Sequence, residues 1–346
     1  MSRVLCAMSG GVDSAVAAAL LQQEGHTVAG ATMLLHDAGA AELDGARASA
    51  AQLGIDFYVF DFREQFRALV QTPFARVYQS GGTPNPCVIC NKTVKFGLFL
   101  EKALELGFDK VATGHYARIG FDEDTGRYLV KTALDASKDQ TYMFHSLSQR
   151  QLSHVLLPMG EMTKARARAL ADELSLRVAK KPDSQDICFV PDGDYLAFLQ
   201  SFGVTPQPGH FFGLDGTDYG PHRGLEAYTI GQRRGLDLAC GQRVYVVGKR
   251  GTDVLIGPND ALFSRRVRVT GVNFSPFDKP AGELRAQAKL RYTPNAAPCT
   301  VTMVSETDAE LVFDAPQRAV TPGQAAVIYD GELLLGGGTI VAGYAE

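Results

Sequence analysis

The sequence predicts an α/β protein: a doubly wound parallel sheet first, then a small β-rich module and a C-terminal β-barrel. Three observations carry this expectation. Residues 3–113 alternate strand and helix patterns. Pro206, Pro208 and Gly209 then mark a change of texture near residue 200. From residue 284 onward, short alternating strands take over, with Asp330-Gly331 as a hairpin signal. Taken in order, Arg3–Met8 is a short apolar first strand. Asp13–Gln23 sets Val16, Ala17, Leu20 and Leu21 at helical spacing. Thr27–Leu34 is a strand, and Glu42–Leu53 a helix stopped by Gly54. Asp56–Phe60 is a strand, and Arg63–Tyr78 a helix stopped by Gly81. A loop leads to a helix over Thr93–Leu106, with Gly107 as its stop, and then to a strand at Lys110–Thr113. Beyond the linker, Ala227–Ile230, Arg243–Lys249 and Asp253–Gly257 are expected strands. In Leu284–Tyr292 the residues Arg285, Gln287, Lys289 and Arg291 alternate, which predicts one shared polar face. Ala326–Tyr329 and Glu332–Leu335 flank the Asp-Gly turn.

Composition narrows the functional classes. The chain has 346 residues, 45% of them hydrophobic and 21% charged, enough for several packed cores. Disordered, collagen-like and small disulfide-scaffold proteins are excluded. A net charge of −4 removes the argument for nucleic acid from overall basicity. Lys164, Arg166, Arg168, Arg177, Lys180 and Lys181 form a local basic run that suits either a nucleic-acid contact or a solvated helix face, the second at least as well when the run is taken alone. The apolar start runs straight into Ser9-Gly10-Gly11, so it is read as a strand and not a leader. No apolar stretch is long enough to span a membrane, and a cytoplasmic setting is expected. The six cysteines are then reduced, and Cys6 and Cys299 read as core residues.

Two features carry chemistry. Ser9-Gly10-Gly11-Val12-Asp13-Ser14 sits between the first strand and the first helix. Two glycines let backbone N–H groups converge, and the helix start adds a positive dipole end. Asp13 is expected to cap the helix or to help hold a metal ion. The string matches neither the Walker pattern nor the dinucleotide fingerprint. It resembles the pyrophosphate loop of the ATP pyrophosphatases, which implies splitting of ATP to adenylate an oxygen. The second feature is a pair of cysteine sites. In Thr83-Pro84-Asn85-Pro86-Cys87-Val88-Ile89-Cys90-Asn91-Lys92, a proline-set loop enters a helix, a setting that favours thiolate. Cys188 follows Lys180 and Lys181 far along the chain. A structural zinc site would need a fourth ligand, and the sequence offers none in matching spacing.

The segments SGGVDS, TPNPCVICN, ATGHYAR, KDQTYMF, DSQDICFVPDGDY, YTIGQRRGL and VTPGQAAVIYDGE lie within the span Met8 to Gly338. Together they resemble the bacterial tRNA-specific 2-thiouridylases, a family of the ATP-pyrophosphatase superfamily. The resemblance implies a nucleotide α-hydrolase-like catalytic domain over residues 1–197, a small β-rich tRNA-contacting domain over 198–260 and a β-barrel over 261–346. It implies ATP with Mg²⁺, bound by Ala7, Met8, Ser9, Gly10, Gly11, Val12, Asp13, Ser14, Met33 and Gly114. Cys90 corresponds to the catalytic nucleophile and Cys188 to the persulfide carrier, the pair closing to a disulfide during turnover. Asn85, Pro86 and Cys87 correspond to the loop touching the target base. His115, Lys138, Asp139, Gln140, Arg291, Tyr292 and Gln324 correspond to tRNA contacts. The implied reaction adenylates the C2 oxygen of a wobble uridine and replaces it by sulfur, giving 2-thiouridine, AMP and diphosphate. Implied partners are tRNA, of the Glu, Gln and Lys isoacceptors, and a cysteine desulfurase or sulfur-relay protein.

Residue chemistry fits that scheme, because uracil O2 leaves poorly until adenylated and two thiols divide carrying and releasing sulfur. Tyr116 and Tyr142 are candidate stackers for a flipped base, and Lys138 and Arg291 candidate phosphate contacts. Arg233-Arg234 and Arg265, Arg266 and Arg268 are further candidates. Some family members carry Asp where this chain has Cys87, so Cys87, Cys90 and Cys188 could instead hold an iron–sulfur cluster. Two rival functions are a carboxylate-adenylating ligase, which needs neither cysteine, and an RNA-binding protein that uses ATP structurally.

Overall fold

The computed structural model describes residues 1–37, 40–179, 187–190, 193–293 and 295–345. Its N-terminal unit contains β1 (Arg3–Ala7), α1 (Val12–Gln23), β2 (Thr27–Leu34), α2 (Ala40–Leu53), β3 (Phe57–Asp61), β4 (Lys110–Ala112), β5 (Arg118–Asp122), β6 (Arg127–Lys131) and β7 (Val155–Leu156). Strands β3-β2-β1-β4-β7 form a five-stranded sheet, parallel at every pairing. Both faces are covered, so successive residues of β1 enter different cores. Leu5 and Ala7 join one apolar cluster, while Val4, Cys6 and Met8 join the other. The strand order reverses beside β1, and such a reversal opens a crevice at the C-terminal strand ends between β1 and β4.

The helix expected from Thr93 starts seven residues earlier. Helical backbone runs continuously through 86–105, with Asn91–Leu98 in π form between two α segments. Pro86 occupies the first turn, and Asn85 caps it by accepting the Val88 N–H at 3.3 Å. Cys87 and Cys90 therefore lie within the helix and not in the loop before it.

The middle unit pairs β8 (His210–Gly213), β9 (Asp218–Pro221), β10 (Tyr245–Arg250) and β11 (Asp253–Gly257) in the order β10-β11-β8-β9. The expected strand at Ala227–Ile230 is absent from this sheet. Leu225–Ala227 is a single 3₁₀ turn, and the Thr229 N–H donates to Gln232 Oε1 at 3.0 Å, folding the segment into a turn. Tyr228 instead packs edge-on against Phe211 and His222.

The C-terminal unit is a closed barrel of β12 (Phe263–Phe274), β13 (Leu284–Lys289), β14 (Ala297–Met303), β15 (Ala309–Arg318), β16 (Ala325–Asp330) and β17 (Leu333–Tyr344). Pairing runs β12-β15-β14-β13-β16-β17, and β12 closes onto β17. Gly331 adopts φ +56° in the β16–β17 turn. The β5–β6 hairpin of the N-terminal unit extends this sheet through Leu333–Lys131 and Leu334–Val130 pairs, so the two units share one hydrogen-bonded edge. The expected strand over 284–292 ends at Lys289, and its polar face is not uniform. Arg285 and Gln287 are exposed, but Lys289 is buried with its Nζ 3.6 Å from Asp139. Cys6 and Cys299 are fully buried core residues.

Candidate active site

The glycine loop leaves the C-terminal end of β1 and enters α1. Gly10 has φ +68°, a conformation L side chains rarely adopt, and a Cβ there would lie 2.3 Å from the Glu42 carbonyl oxygen. Glu42, in the first turn of α2, thus packs across the loop. Ser14 Oγ stabilises the turn by donating to Gly11 O at 3.2 Å and accepting the Ser9 N–H at 3.2 Å. The first N–H groups of α1 have no intrahelical acceptors. This is the arrangement that draws an anion to a helix start. Ala7, Met8, Val12 and Ser14 are buried, so contacts from these positions to a nucleotide run through backbone atoms.

Asp13 neither caps α1 nor stands open for a metal ion. Gly11 is the N-cap and no side chain caps it. Both Asp13 oxygens instead accept from Lys164 Nζ at 2.8 Å, and one accepts the Tyr116 hydroxyl at 2.7 Å. Lys164 is thereby removed from the basic run that composition assigns to a solvated face; its side chain is only 12% exposed. Arg166 does follow the surface reading, paired with Glu173 at 2.6 Å. Lys180 and Lys181 lie outside the described residues. Gly114 follows β4, where a Cβ would meet the Ser14 backbone nitrogen at 2.6 Å. Only glycine lets this segment run against the N-terminus of α1, closing the crevice between β1 and β4.

The two cysteine segments meet. Cys90 is 7% exposed in an apolar cluster with Phe66, Val70, Phe74, Phe189 and Val190. The last two follow Cys188 directly on its own loop, and Phe189 sits edge-on to Phe66 and Phe74 with ring centroids 5.5 and 5.3 Å apart. Met33, at the end of β2, packs against the same cluster. Cys87 and Cys188 are exposed at its rim. Met33 and Leu35, at the C-terminal end of β2, pack against this cluster, and β2 runs parallel to β1, so the cluster lies at the same end of the sheet as the glycine loop. Lys95 acts to lower the pKa of all three thiols and of His115. Lys95 went unremarked in the sequence because its approach depends on the π turns of the helix.

Burial outweighs the helix start at these thiols, contrary to the thiolate-favouring expectation. Desolvation pushes Cys90 up to about 12, and it also raises Cys87 and Cys188, with Lys95 opposing in each case. At neutral pH alkylation is therefore expected to label Cys87 and Cys188 well before Cys90. Cys90 labelling should keep accelerating above pH 9, because its thiol stays protonated through the range where a free cysteine ionises. Timed labelling with peptide mass spectrometry checks this; equal rates at the three positions would contradict it.

Several residues expected to meet tRNA have other work. Tyr116 and Tyr142 are 2% and 0% exposed, too buried to stack on a base; the Tyr142 hydroxyl donates to Ala325 O at 2.7 Å. Gln140 Oε1 accepts the Tyr116 N–H at 3.0 Å, and Asp139 accepts from Ala133 N–H and the Thr141 hydroxyl. Arg291 commits one guanidinium nitrogen, Nη2, to the protein. It donates to Ile230 O, Ala319 O and Thr321 Oγ1 at 2.7–3.0 Å, joining the middle unit to the barrel. His115 contacts Thr113 Oγ1 at 2.7 Å, and burial beside Phe96 and Phe144 holds it neutral, well below the usual histidine range. Arg266 and Arg268 pair with Glu310 and Asp308. Tyr292 keeps 53% exposure while its hydroxyl donates to Asp139 O, and Lys138 is half-buried beside Asp139 in sequence.

Gln324 acts as a clamp. Its Nε2 donates to Thr83 O at 2.8 Å and Pro84 O at 3.3 Å, while the Thr83 N–H donates to Pro322 O at 2.9 Å. From the middle unit, Lys249 Nζ donates to Gly81 O at 2.8 Å. The loop entering the Cys87–Cys90 helix is thus fixed by all three units. Replacing Gln324 by Ala removes two hydrogen bonds worth together about 2 kcal/mol. Turnover at this site is expected to fall roughly tenfold through lost positioning. The melting temperature should drop by only a few degrees; calorimetry and steady-state kinetics together separate the two effects.

A family model described as the tRNA methyl transferase HUP domain matches residues 2–192. The tRNA methyl transferase PRC-barrel domain matches residues 197–256, and the aminomethyltransferase beta-barrel domain matches residues 264–340. The chain is 43% identical to the tRNA-specific 2-thiouridylase MnmA of Acetivibrio thermocellus, covering 98% of this chain and 99% of that one. It is 44% identical to that of Clostridioides difficile, with 98% of each chain covered. Against that of Carboxydothermus hydrogenoformans the identity is 45%, over 98% and 97%. A parallel sheet with an anion-holding glycine turn, and thiols gathered over its strand ends, defines a nucleotide-dependent group-transfer enzyme of the ATP-pyrophosphatase class. The chain belongs to the tRNA-specific 2-thiouridylase family.

Proposed function

We propose that this protein is a tRNA-uridine 2-sulfurtransferase that activates the C2 oxygen of the wobble uridine with ATP and replaces it by sulfur from Cys188. The observation that carries the reading is the packing of the Cys90 helix and the Cys188 loop into one cluster beside the strand ends that bear the glycine turn. Among the described residues no helix is long and apolar enough to cross a membrane, and we place the enzyme in the cytoplasm.

The backbone of residues 9–14 holds the departing diphosphate, and Lys164 stands beside it on Asp13. Mg²⁺ arrives with ATP; since Asp13 is committed to Lys164, that side chain does not supply its ligands. A persulfide on Cys188 adds its terminal sulfur to the activated C2, and AMP departs with the former O2. Cys90 then attacks the Cys188 sulfur and loses its proton. The S–S bond of the persulfide breaks, the terminal sulfur stays on C2, and a Cys90–Cys188 disulfide forms. The sulfane sulfur is reduced as the two thiols are oxidised. Glu, Gln and Lys tRNAs are the substrates we assign, with a cysteine desulfurase or relay protein as donor. A carboxylate-adenylating ligase leaves this pair of thiols without a use.

The test is mass spectrometry of tRNA nucleosides after incubation with ATP, Mg²⁺ and a persulfide donor. We expect 2-thiouridine with stoichiometric AMP, and neither when ATP is omitted. Thiolation that proceeds without ATP, or AMP formation with no sulfur in the tRNA, would refute the assignment.

A further inference from the structure

The sulfur cycle ends with Cys90 and Cys188 joined, and one side of that bond is hard to reach. Cys90 is 7% exposed, whereas Cys87 and Cys188 both face solvent. Cys87 precedes Cys90 by three residues on a helix, a spacing that makes the two side chains neighbours. Phe189 and Val190, which follow Cys188, pack into the same cluster as Cys90, so the Cys188 loop lies against the helix that carries Cys87. The proposed transfer step uses only two of the three thiols.

We propose that Cys87 is a resolving thiol that takes over the spent disulfide and passes it to a dithiol reductant, freeing Cys188 for recharging. This rests on the assignment of Cys90 and Cys188 to sulfur transfer. The Cys87 thiolate attacks Cys90 Sγ, the Cys90–Cys188 bond breaks, and Cys188 leaves with the electron pair as a thiolate. The proton released by Cys87 balances the one taken up by Cys188. This exchange involves no net oxidation. An external dithiol then reduces the Cys87–Cys90 bond and is itself oxidised to a disulfide. The direction follows from the helix and from relative exposure: Cys87 stays three residues from Cys90, and of the two sulfurs in the spent bond Cys90 is the one enclosed by phenylalanines while Cys188 lies at the surface, so Cys188 is the better leaving group of the pair. The resulting bond presents the exposed Cys87 to the reductant.

The experiment is a single turnover of the full-length enzyme without added dithiol, quenched in acid, alkylated and digested with trypsin. Cys87 and Cys90 fall between Arg76 and Lys92 on one tryptic peptide, and Cys188 falls on another, so the two disulfides differ in mass pattern. We expect wild-type protein to end with the bond inside the first peptide and Cys188 alkylated. Cys87→Ser and Cys87→Ala should end with the two peptides linked, and later turnovers with dithiothreitol should run at least about tenfold slower than each variant's own first turnover. Wild-type protein that ends as linked peptides with Cys87 alkylated overturns the proposal. So do variants whose later turnovers keep pace with the first. A thiolated product with no disulfide in any protein overturns the underlying two-cysteine assignment instead.

Discussion

Cys188→Ser is expected to lower 2-thiouridine formation by at least about a thousandfold while tRNA-dependent diphosphate release in a single turnover stays within about threefold of wild type. A serine oxygen cannot carry a transferable sulfur atom, so the loss falls on sulfur delivery. The glycine loop and Lys164 lie outside the apolar cluster in which Phe189 and Val190 anchor the Cys188 loop, so adenylation should continue. The measurement pairs nucleoside mass spectrometry with diphosphate quantification on the same single-turnover reaction. Equal thiolation by wild type and variant would remove Cys188 from the mechanism.

Gly10→Ala should cost at least about a hundredfold in ATP turnover, because it disturbs the groups that stabilise charge on the leaving diphosphate. The added methyl group would stand 2.3 Å from the Glu42 carbonyl oxygen, in backbone with φ +68°. Either the loop or the start of α2 must then move. Gly11→Ala is the informative contrast. Its nearest protein neighbour would be Ser9 Oγ at 3.5 Å, an ordinary contact. The apoprotein should accept that variant with little change in melting temperature, so any loss of ATP turnover there reports crowding of the bound phosphates. Full ATP turnover by Gly10→Ala would show that the loop does not hold the nucleotide.

Much of this architecture was legible because local rules and tertiary packing agree. The alternation in residues 3–113 reflects strands that must bury both faces, and each glycine stop matches a helix end. The hairpin at Asp330-Gly331 follows from turn chemistry. The segment Ala227–Ile230 misled because four residues carry too little periodicity to separate a strand from a turn closed by Gln232. The helix start at Pro86 was hidden by a proline-rich string that also suits a loop, and the Asn85 cap decided it.

For the site, the sequence by itself determined the chemical types: a glycine turn after a first strand, and two separated cysteine segments. Which charges are free and which are spent was decided only in three dimensions. Lys164 reads as surface until α1 is set opposite it and Asp13 takes its ammonium. Tyr142, Arg291 and Gln324 read as contacts for a nucleic acid; the fold adds partners for their polar atoms across the barrel, the middle unit and the loop before Cys87. Side-chain type sets what a residue can do; burial and the partner reached across long sequence separations set what it does, because desolvation and pairing energies depend on neighbours that the linear order does not specify.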